Sequence, residues 1–110
     1  MGSDVWLGEF EQLVLWTLVR LRQNAYGMAI RRNLEERTKR SVSIGAVYAT
    51  LDRLEDKGLV TSRPGEATAE RGGRARRYFR IEAAGVKALN DSRRVLEKAW
   101  HGLRPAPARG

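Results

Sequence analysis

The chain has 110 residues, the usual size of a single domain with a modest core. It has no cysteine and a single histidine, His101, so disulfides and thiolate metal sites are excluded, and no metal, cofactor or catalytic pair is predicted. The net charge of +8 favours a polyanionic partner such as nucleic acid or an anionic membrane, and the absence of cysteine fits the cytoplasm. No apolar run is long enough for a membrane-spanning helix, and no membrane partner is predicted.

The first predicted helix covers residues 9–22 and carries apolar side chains on two neighbouring faces. One stripe has helical spacing and consists of Phe10, Leu13, Val14, Leu18 and Leu21. The second stripe consists of Leu15, Trp16 and Val19. A helix that is apolar on two faces is buried on both sides. In a domain of this size, we expect the second face to contact another subunit.

Two further helices are predicted before the middle of the chain. One covers residues 25–38, has Asn24 as its N-cap, and turns Tyr26, Ile30 and Leu34 toward the core. The other follows the N-cap Ser43 and ends at Gly58, a residue suited to the left-handed position after a helix. Its buried stripe consists of Val47, Leu51 and Leu54, and its other side carries Ser43, Ala46, Thr50, Arg53 and Lys57.

Residues 59–63 and 76–81 are predicted to form a β-hairpin. In the second strand, Phe79 and Ile81 alternate with Tyr78 and Arg80, the pattern of a half-buried strand. The segment between the strands is polar and glycine-rich, which predicts a long projecting tip. Five arginines and no acid lie between residues 71 and 80. This charge indicates contact with nucleic acid, and the alternative is an ordinary solvated surface.

The last predicted helix runs from Ala83 to about Leu103 and carries a heptad pattern. Leu89, Leu96 and Leu103 are seven residues apart, and so are Val86, Arg93 and Trp100. This alternation is typical of a helix that pairs with another helix, with Arg93 as a polar interruption. Residues 104–110 are predicted to be a disordered tail.

The predicted order of three helices, a hairpin and a final helix fits a winged helix-turn-helix. In that architecture the second helix of the motif enters the major groove of DNA, and the hairpin is the wing. Arginines at the wing tip are suited to phosphates or to a narrow minor groove. The fold class is therefore predicted as mainly α with a small β-hairpin.

Three segments together resemble one known family. "AYGMAI", "VSIGAVYATLDRLEDKGLV" and "GGRARRYFRIEAAG" are similar to the PadR family of bacterial transcriptional regulators, over roughly residues 7–90. The block from Ser43 to Leu59 is the most specific part. The resemblance implies a winged helix-turn-helix over residues 7–82 and a dimerisation helix over residues 83–103, as in the short subfamily. Many members begin the last helix with threonine, whereas this chain has Glu82.

The resemblance implies a homodimer that binds double-stranded DNA at a palindromic operator, usually as a repressor. Ser43, Gly45 and Tyr48 are then expected on the DNA; Tyr48 is suited either to a phosphate contact or to partly buried packing. With the residues inferred above, the predicted recognition helix surface is Ser43, Gly45, Ala46, Tyr48, Thr50 and Arg53. The predicted wing contacts are Arg71, Arg74, Arg76 and Arg77. The predicted dimer interface consists of Leu15, Trp16, Val19, Val86, Leu89, Leu96, Trp100 and Leu103.

Some short members of the family hold planar ligands between aromatic residues at the dimer centre. Trp16 and Trp100 are the candidates for such an effector site, although an aromatic residue at a subunit seam is more often interface core. The alternatives to a DNA-binding regulator are a winged-helix module that binds proteins and an RNA-binding protein. RNA binding is disfavoured because the aromatic residues are not interleaved with the basic ones. An enzyme is not predicted, since acid–base groups are lacking.

Overall fold

The computed structural model describes residues 6–67 and 75–107, which form four α-helices and one antiparallel hairpin. The fold class predicted from the sequence is therefore confirmed. No helix among these residues is both long enough and apolar enough to cross a membrane. The elements are α1 (Glu9–Leu21), a 3-10 turn (Arg22–Asn24), α2 (Gly27–Thr38), α3 (Ile44–Asp56), β1 (Val60–Ala67), β2 (Ala75–Ile81) and α4 (Ala83–Trp100).

Local sequence signals set both ends of α3. The Ser43 hydroxyl accepts a hydrogen bond from the Ala46 amide at 3.0 Å, so the predicted N-cap is confirmed. Gly58 follows the helix with a φ of 76°, the left-handed conformation that glycine adopts without strain. The prediction of Asn24 as the N-cap of α2 is wrong. Asn24 ends the 3-10 turn, and α2 begins three residues later, at Gly27. Its N-cap is Tyr26, whose side chain makes no capping bond.

One apolar core joins the helices to the hairpin. The predicted stripe of α3 is completely buried at Val47, Leu51 and Leu54. Two residues assigned to the dimer interface, Leu15 and Leu89, belong to this core instead, with exposed fractions of 0% and 2%. That assignment was wrong because Leu15 of α1 and Leu89 of α4 are already covered within a single chain, whereas their neighbours Trp16, Val19 and Val86 stay exposed.

The hairpin is attached to the helices along one edge of β2. β1 and β2 pair in antiparallel register, with Arg63 opposite Tyr78 and Ser62 opposite Phe79. On its other edge, β2 receives a short bridge from Tyr26, and the Phe79 amide donates to the Ala25 carbonyl at 2.8 Å. The Phe79 side chain is buried in the core. The wing is therefore fixed to the segment that leads into α2.

The connection from β2 into α4 is held by Glu82. Its side chain makes no capping bond to α4. Instead, its carboxylate accepts a hydrogen bond from the Thr61 hydroxyl at 2.7 Å and lies 3.3 Å from the Arg80 guanidinium. The hydrogen bond from Thr61 is the main reason that the pKa of Glu82 lies below its ordinary value. Glu82 thus links α4 to the hairpin.

A buried carboxylate joins the start of α1 to the end of α3. Glu11 is 8% exposed, accepts a hydrogen bond from the Gly8 amide at 2.9 Å, and is bonded by the Lys57 ammonium at 2.9 Å. Burial raises the pKa of this carboxyl group, but the hydrogen bonds from Lys57 and Gly8, together with the charges of Lys57 and Arg53, outweigh burial and lower it. The ionised form therefore stabilises the fold.

We expect Glu11→Gln to lower the free energy of unfolding by about 1–3 kcal/mol at pH 7, because Lys57 loses its charged acceptor. A carboxyl group with a lowered pKa stabilises the fold above its ordinary value of 4.5, and this stabilisation is lost as the pH falls through the folded-state pKa. The difference between variant and parent should therefore shrink below about pH 4. Urea unfolding at a series of pH values measures this difference in the free energy of unfolding.

Glu36→Gln, on the exposed side of α2, is the control. A difference that does not change with pH would contradict the role of the charge.

Candidate nucleic-acid interface

The exposed face of α3 is formed by small side chains. Ser43, Gly45, Ala46 and Ala49 are all exposed, and a β-carbon at Gly45 would have no atom within 4 Å. A surface of small residues lets a neighbouring molecule approach the helix backbone closely. The first two turns of α3 thus offer a smooth ridge with one hydroxyl, Ser43, at its start.

Thr50 does not belong to this face, although the sequence spacing predicted that it would. Its side chain is 2% exposed, and its hydroxyl accepts a hydrogen bond from Arg53 at 3.1 Å. Thr50 lies next to the fully buried Leu51. The buried side of α3 is therefore wider than the spacing of Val47, Leu51 and Leu54 indicated, and it includes Thr50. Arg53 lies 3.8 Å from Glu11, so it is directed toward the start of α1.

Tyr48 connects α3 with the start of α2. Its side chain is partly exposed, and its ring lies 6.4 Å from that of Phe79. A β-carbon at Gly27 would collide with the Tyr48 hydroxyl, so the tyrosine packs directly on the glycine backbone. Partly buried packing, one of the two roles predicted for Tyr48, is therefore present, and the predicted phosphate contact of its hydroxyl stays a prediction.

Arg77 lies between the wing and α3. Its guanidinium donates to Glu55 at 2.8 Å, lies 3.6 Å from Asp52, and stacks over the ring of Phe79 at 5.0 Å. Ser62 completes the group: it donates to Glu55 at 2.8 Å and accepts from Arg77 at 3.2 Å. The sequence predicted a phosphate contact for Arg77, and that contact stays a prediction. Within the chain, this arginine holds the wing against α3.

The acidic partners of Arg77 were missed in the sequence. Asp52 and Glu55 are three residues apart, so they share one side of α3. Two acids at this spacing in a basic protein, followed by an arginine-rich strand, are a usable signal for an internal ion pair. Of the other predicted wing residues, Arg76 stacks over the Tyr26 ring at 4.0 Å, and Arg71 and Arg74 lie outside the described residues.

A second surface, on α1 and α4, is apolar and uncovered. The face of α4 that buries Ala88 and Leu89 continues toward the C-terminus as Val95 and Leu96, where no part of the described chain covers it. The exposed large apolar residues of α1 and α4, together with the one that follows them, are Trp16, Val19, Val86, Val95, Leu96, Trp100 and Leu103. Val95 was not predicted from the heptad pattern. The described residues contain no cluster of carboxylates and histidine suited to a metal ion.

An exposed ridge on the second helix of a helix-turn-helix, beside a basic wing, is the arrangement of DNA-binding regulators. The family comparison agrees with it, because residues 14–91 match the Transcriptional regulator PadR-like family. The chain belongs to this family. PadR-like proteins are transcriptional regulators and not enzymes, so the prediction of a non-catalytic protein is confirmed.

Individual relatives agree with this membership. The Transcriptional regulator Rv3488 of Mycobacterium tuberculosis is 46% identical over 57 residues, which cover 52% of this chain and 50% of the relative. The match thus spans half the length of that relative. A transcriptional regulator from Clostridium thermocellum has a similar structure, with a TM-score of 0.69 and 25% identity over 81% of this chain and 83% of its own. A PadR-like regulator from Bacillus cereus, 20% identical, shares the fold, with a TM-score of 0.67 over 82% of both chains.

The network around Arg77 predicts an energetic coupling between wing and α3. Arg77→Gln and Glu55→Gln should each destabilise the fold, and the double variant should cost less than the sum of the two. Because both side chains are partly exposed, we expect a coupling of about 0.5–1 kcal/mol. Urea unfolding of the four proteins measures this value. The matched control is the pair Arg93 and Glu97, which lies within α4 and is more exposed. Additive effects at Arg77 and Glu55 would show that the pair does not hold the wing.

Proposed function

We propose that this PadR-like protein is a cytoplasmic, homodimeric repressor that binds a palindromic operator in double-stranded DNA. The observation that carries the proposal is the ridge of small residues along the first two turns of α3, which lies beside a basic wing. The family supports DNA-binding regulation. The net charge of +8 supports a polyanionic partner.

In this proposal the ridge enters the major groove. Ser43, Gly45 and Ala46 are proposed to lie against base edges, and the Tyr48 hydroxyl is proposed to donate to a phosphate. Arg53 serves the fold through Glu11 and Thr50 more than it serves the groove. Arg71, Arg74 and Arg76 are proposed as contacts to the phosphate backbone, which fix the position of the protein without reading sequence.

The uncovered apolar face of α1 and α4 is proposed as the dimer interface. Leu96 and Trp100 are 53% and 58% exposed in the single chain, and the surrounding apolar residues continue the same face. A large exposed apolar patch of this kind marks an interaction site. A two-fold dimer would place two α3 helices about 34 Å apart, one turn of the double helix. That geometry requires a palindromic operator.

The two tryptophans of this face are the proposed place for an effector. Trp16 and Trp100 are both exposed in the single chain, on α1 and α4. In the dimer they serve first as interface core. A planar small molecule that enters between them would change how the subunits, and so the two α3 helices, are placed. Release from the operator by such a molecule is the proposed mode of regulation.

The experiment that tests DNA binding is selection of duplexes from a random library, followed by affinity measurements over a range of KCl concentrations. A DNA-binding regulator should select a palindromic sequence and bind it with a steep salt dependence. A winged-helix module that binds only proteins would select no sequence and show no affinity for duplexes at moderate salt. That result would overturn the proposed function.

Gly45→Ala distinguishes an effect on the stability of the protein from an effect on its affinity for DNA. A β-carbon at this position has free space in the protein, so the variant should be as stable as the parent or up to about 1 kcal/mol more stable. If the backbone of Gly45 lies against DNA, the added methyl group should lower operator affinity at least tenfold, which is about 1.4 kcal/mol. Thermal unfolding and titration of the selected duplex measure the two effects. Ala84→Ser, at an exposed position of α4 outside the proposed DNA contacts, is the control for a small change on a helix surface. Unchanged affinity in the Gly45 variant would remove Gly45 from the interface.

Leu96→Asp tests the dimer. In a symmetric interface the substitution buries an unpaired charge in each copy, at a cost of several kcal/mol. We expect a monomer with little operator affinity, although every proposed DNA contact is retained. Sedimentation velocity and DNA titration measure this result. Lys98→Asp changes the charge more, on the exposed side of α4 that carries Lys87, Asp91 and Arg94, and should stay dimeric. A Leu96→Asp protein that remains a dimer would show that α4 does not join the subunits.

A further inference from the structure

The outer face of the wing carries three arginines arranged around two tyrosines. The rings of Tyr26 and Tyr78 meet edge to face, with 5.7 Å between their centroids. Arg76 lies over the Tyr26 ring at 4.0 Å, and Arg63 lies over the Tyr78 ring at 5.0 Å. The Arg32 guanidinium reaches the same place from α2 and donates to the Tyr26 hydroxyl at 3.1 Å. We call this group the tyrosine–arginine surface.

The register of the hairpin places this surface opposite the core. Arg63 and Tyr78 face each other across the strands, and Arg76 follows the same alternation along β2. Phe79, one residue further, points into the core. Gly65 is required here, because a β-carbon at that position would collide with the Tyr78 ring. The absence of a side chain at Gly65 therefore leaves room for the Tyr78 ring, over which Arg63 lies.

Arg63 and Arg32 differ in their charge environment from Arg77 and Arg80. Arg77 and Arg80, on the same hairpin, are each in an ion pair with a carboxylate. Within residues 6–67 and 75–107, no carboxylate forms an ion pair with Arg63 or Arg32. When a guanidinium lies over an aromatic ring, its flat face contacts the ring. Its N–H groups lie in the plane of the guanidinium and point away from this contact. Arg63 is thus positioned with its donors available to an anion.

The tyrosine–arginine surface and α3 meet at the start of α2. Tyr26 is followed by Gly27, whose backbone carries the Tyr48 hydroxyl of α3. A cleft of about 290 Å³ lies along the hairpin beside the surface, and is lined by Ser62, Arg63, Pro64, Arg76 and Arg77. One rigid molecule could therefore contact the start of α3 and the wing face together. A DNA duplex is long enough to contact both regions, and its backbone carries a phosphate at regular intervals.

We propose that Arg63 and Arg32, held by Tyr78 and Tyr26, bind backbone phosphates of the same duplex that α3 reads. The inference rests on the proposed function and extends it to residues outside the arginine-rich segment 71–80. Each guanidinium binds one phosphate, and the tyrosines keep the guanidinium in place before DNA arrives. The contact is independent of sequence, because a phosphate carries no base information.

The test compares Arg32→Gln, Arg63→Gln and the double variant with the parent protein. The probes are the duplex selected by the parent and an unrelated duplex of equal length, each titrated over a range of KCl concentrations. We expect the slope of log affinity against log salt to fall by about 0.9 for each lost phosphate contact, equally on both duplexes. Arg63→Lys keeps the charge and should retain most of the slope. Thermal unfolding checks that each variant is folded.

Arg80→Gln is the matched control. Arg80 lies on the same strand and the same face as Arg76, has the same charge, and is more exposed, but it is paired with Glu82. Its removal should leave the slope unchanged. If the parent binds DNA and Arg32→Gln and Arg63→Gln keep the parental slope, or if Arg80→Gln lowers it equally, the inference is overturned. If the parent binds no duplex at all, the proposed function fails instead.

Discussion

Phe79 in the core is the contact on which the arrangement of the wing depends. Its side chain is buried, and its amide is bonded to Ala25 at the entrance to α2. Side chains alternate between the two faces of a strand. The inward direction of Phe79 therefore determines on which face each of the other side chains of β2 lies. Arg77 is thereby brought against α3, while Tyr78 and Arg76 take the outer face. A shift of one residue would place an arginine in the core and would separate the wing from α3.

The positive charge of the protein is divided between two uses. Arg77, Arg80 and Lys57 are engaged with carboxylates of the same chain. The pairs of Arg77 and Lys57 join elements that are distant in sequence, whereas Arg80 pairs with the nearby Glu82. Arg63 and Arg32 are held by aromatic groups and have no such acid within the described residues. The net charge of the chain therefore predicts a polyanionic partner. Which basic side chains are available to that partner depends on whether each one is already paired with a carboxylate. This is why the arginine-rich segment cannot be treated as one uniform patch.

The sequence predicted the elements well because their signals are local. Ser43 and Gly58 define the ends of α3 through a side-chain cap and a left-handed conformation, which depend on a few neighbouring residues. The division between core and surface was less well predicted. Leu15, Leu89 and Thr50 were assigned outward from helical spacing alone, yet all three are buried. Spacing gives the angle between side chains, whereas burial depends on how α1 is covered by α2, α3, α4 and the hairpin.

The partners of individual charges were the least predictable feature. Glu11 and Lys57 are 46 residues apart, and Arg77 and Glu55 are 22 apart, so neither pair has a local pattern. The same holds for the meeting of Tyr26 with Tyr78, which requires the bridge between the entrance of α2 and β2. Such contacts follow from topology, and topology is known only when the elements are placed together. Acids at helical spacing, such as Asp52 and Glu55, were the one sign available in advance.

The charged side chains of α3 are distributed unevenly along its length. From Ile44 to Leu51 it has no charged side chain, and its amino end carries the positive pole of the helix dipole. Asp52, Glu55 and Asp56 then make its last turns acidic, and Arg53 and Arg77 offset this charge only in part. A polyanion is consequently attracted to one end of α3 and repelled from the other. In the proposed complex, this difference favours the amino end of α3, and not its carboxyl end, as the end that approaches the phosphates.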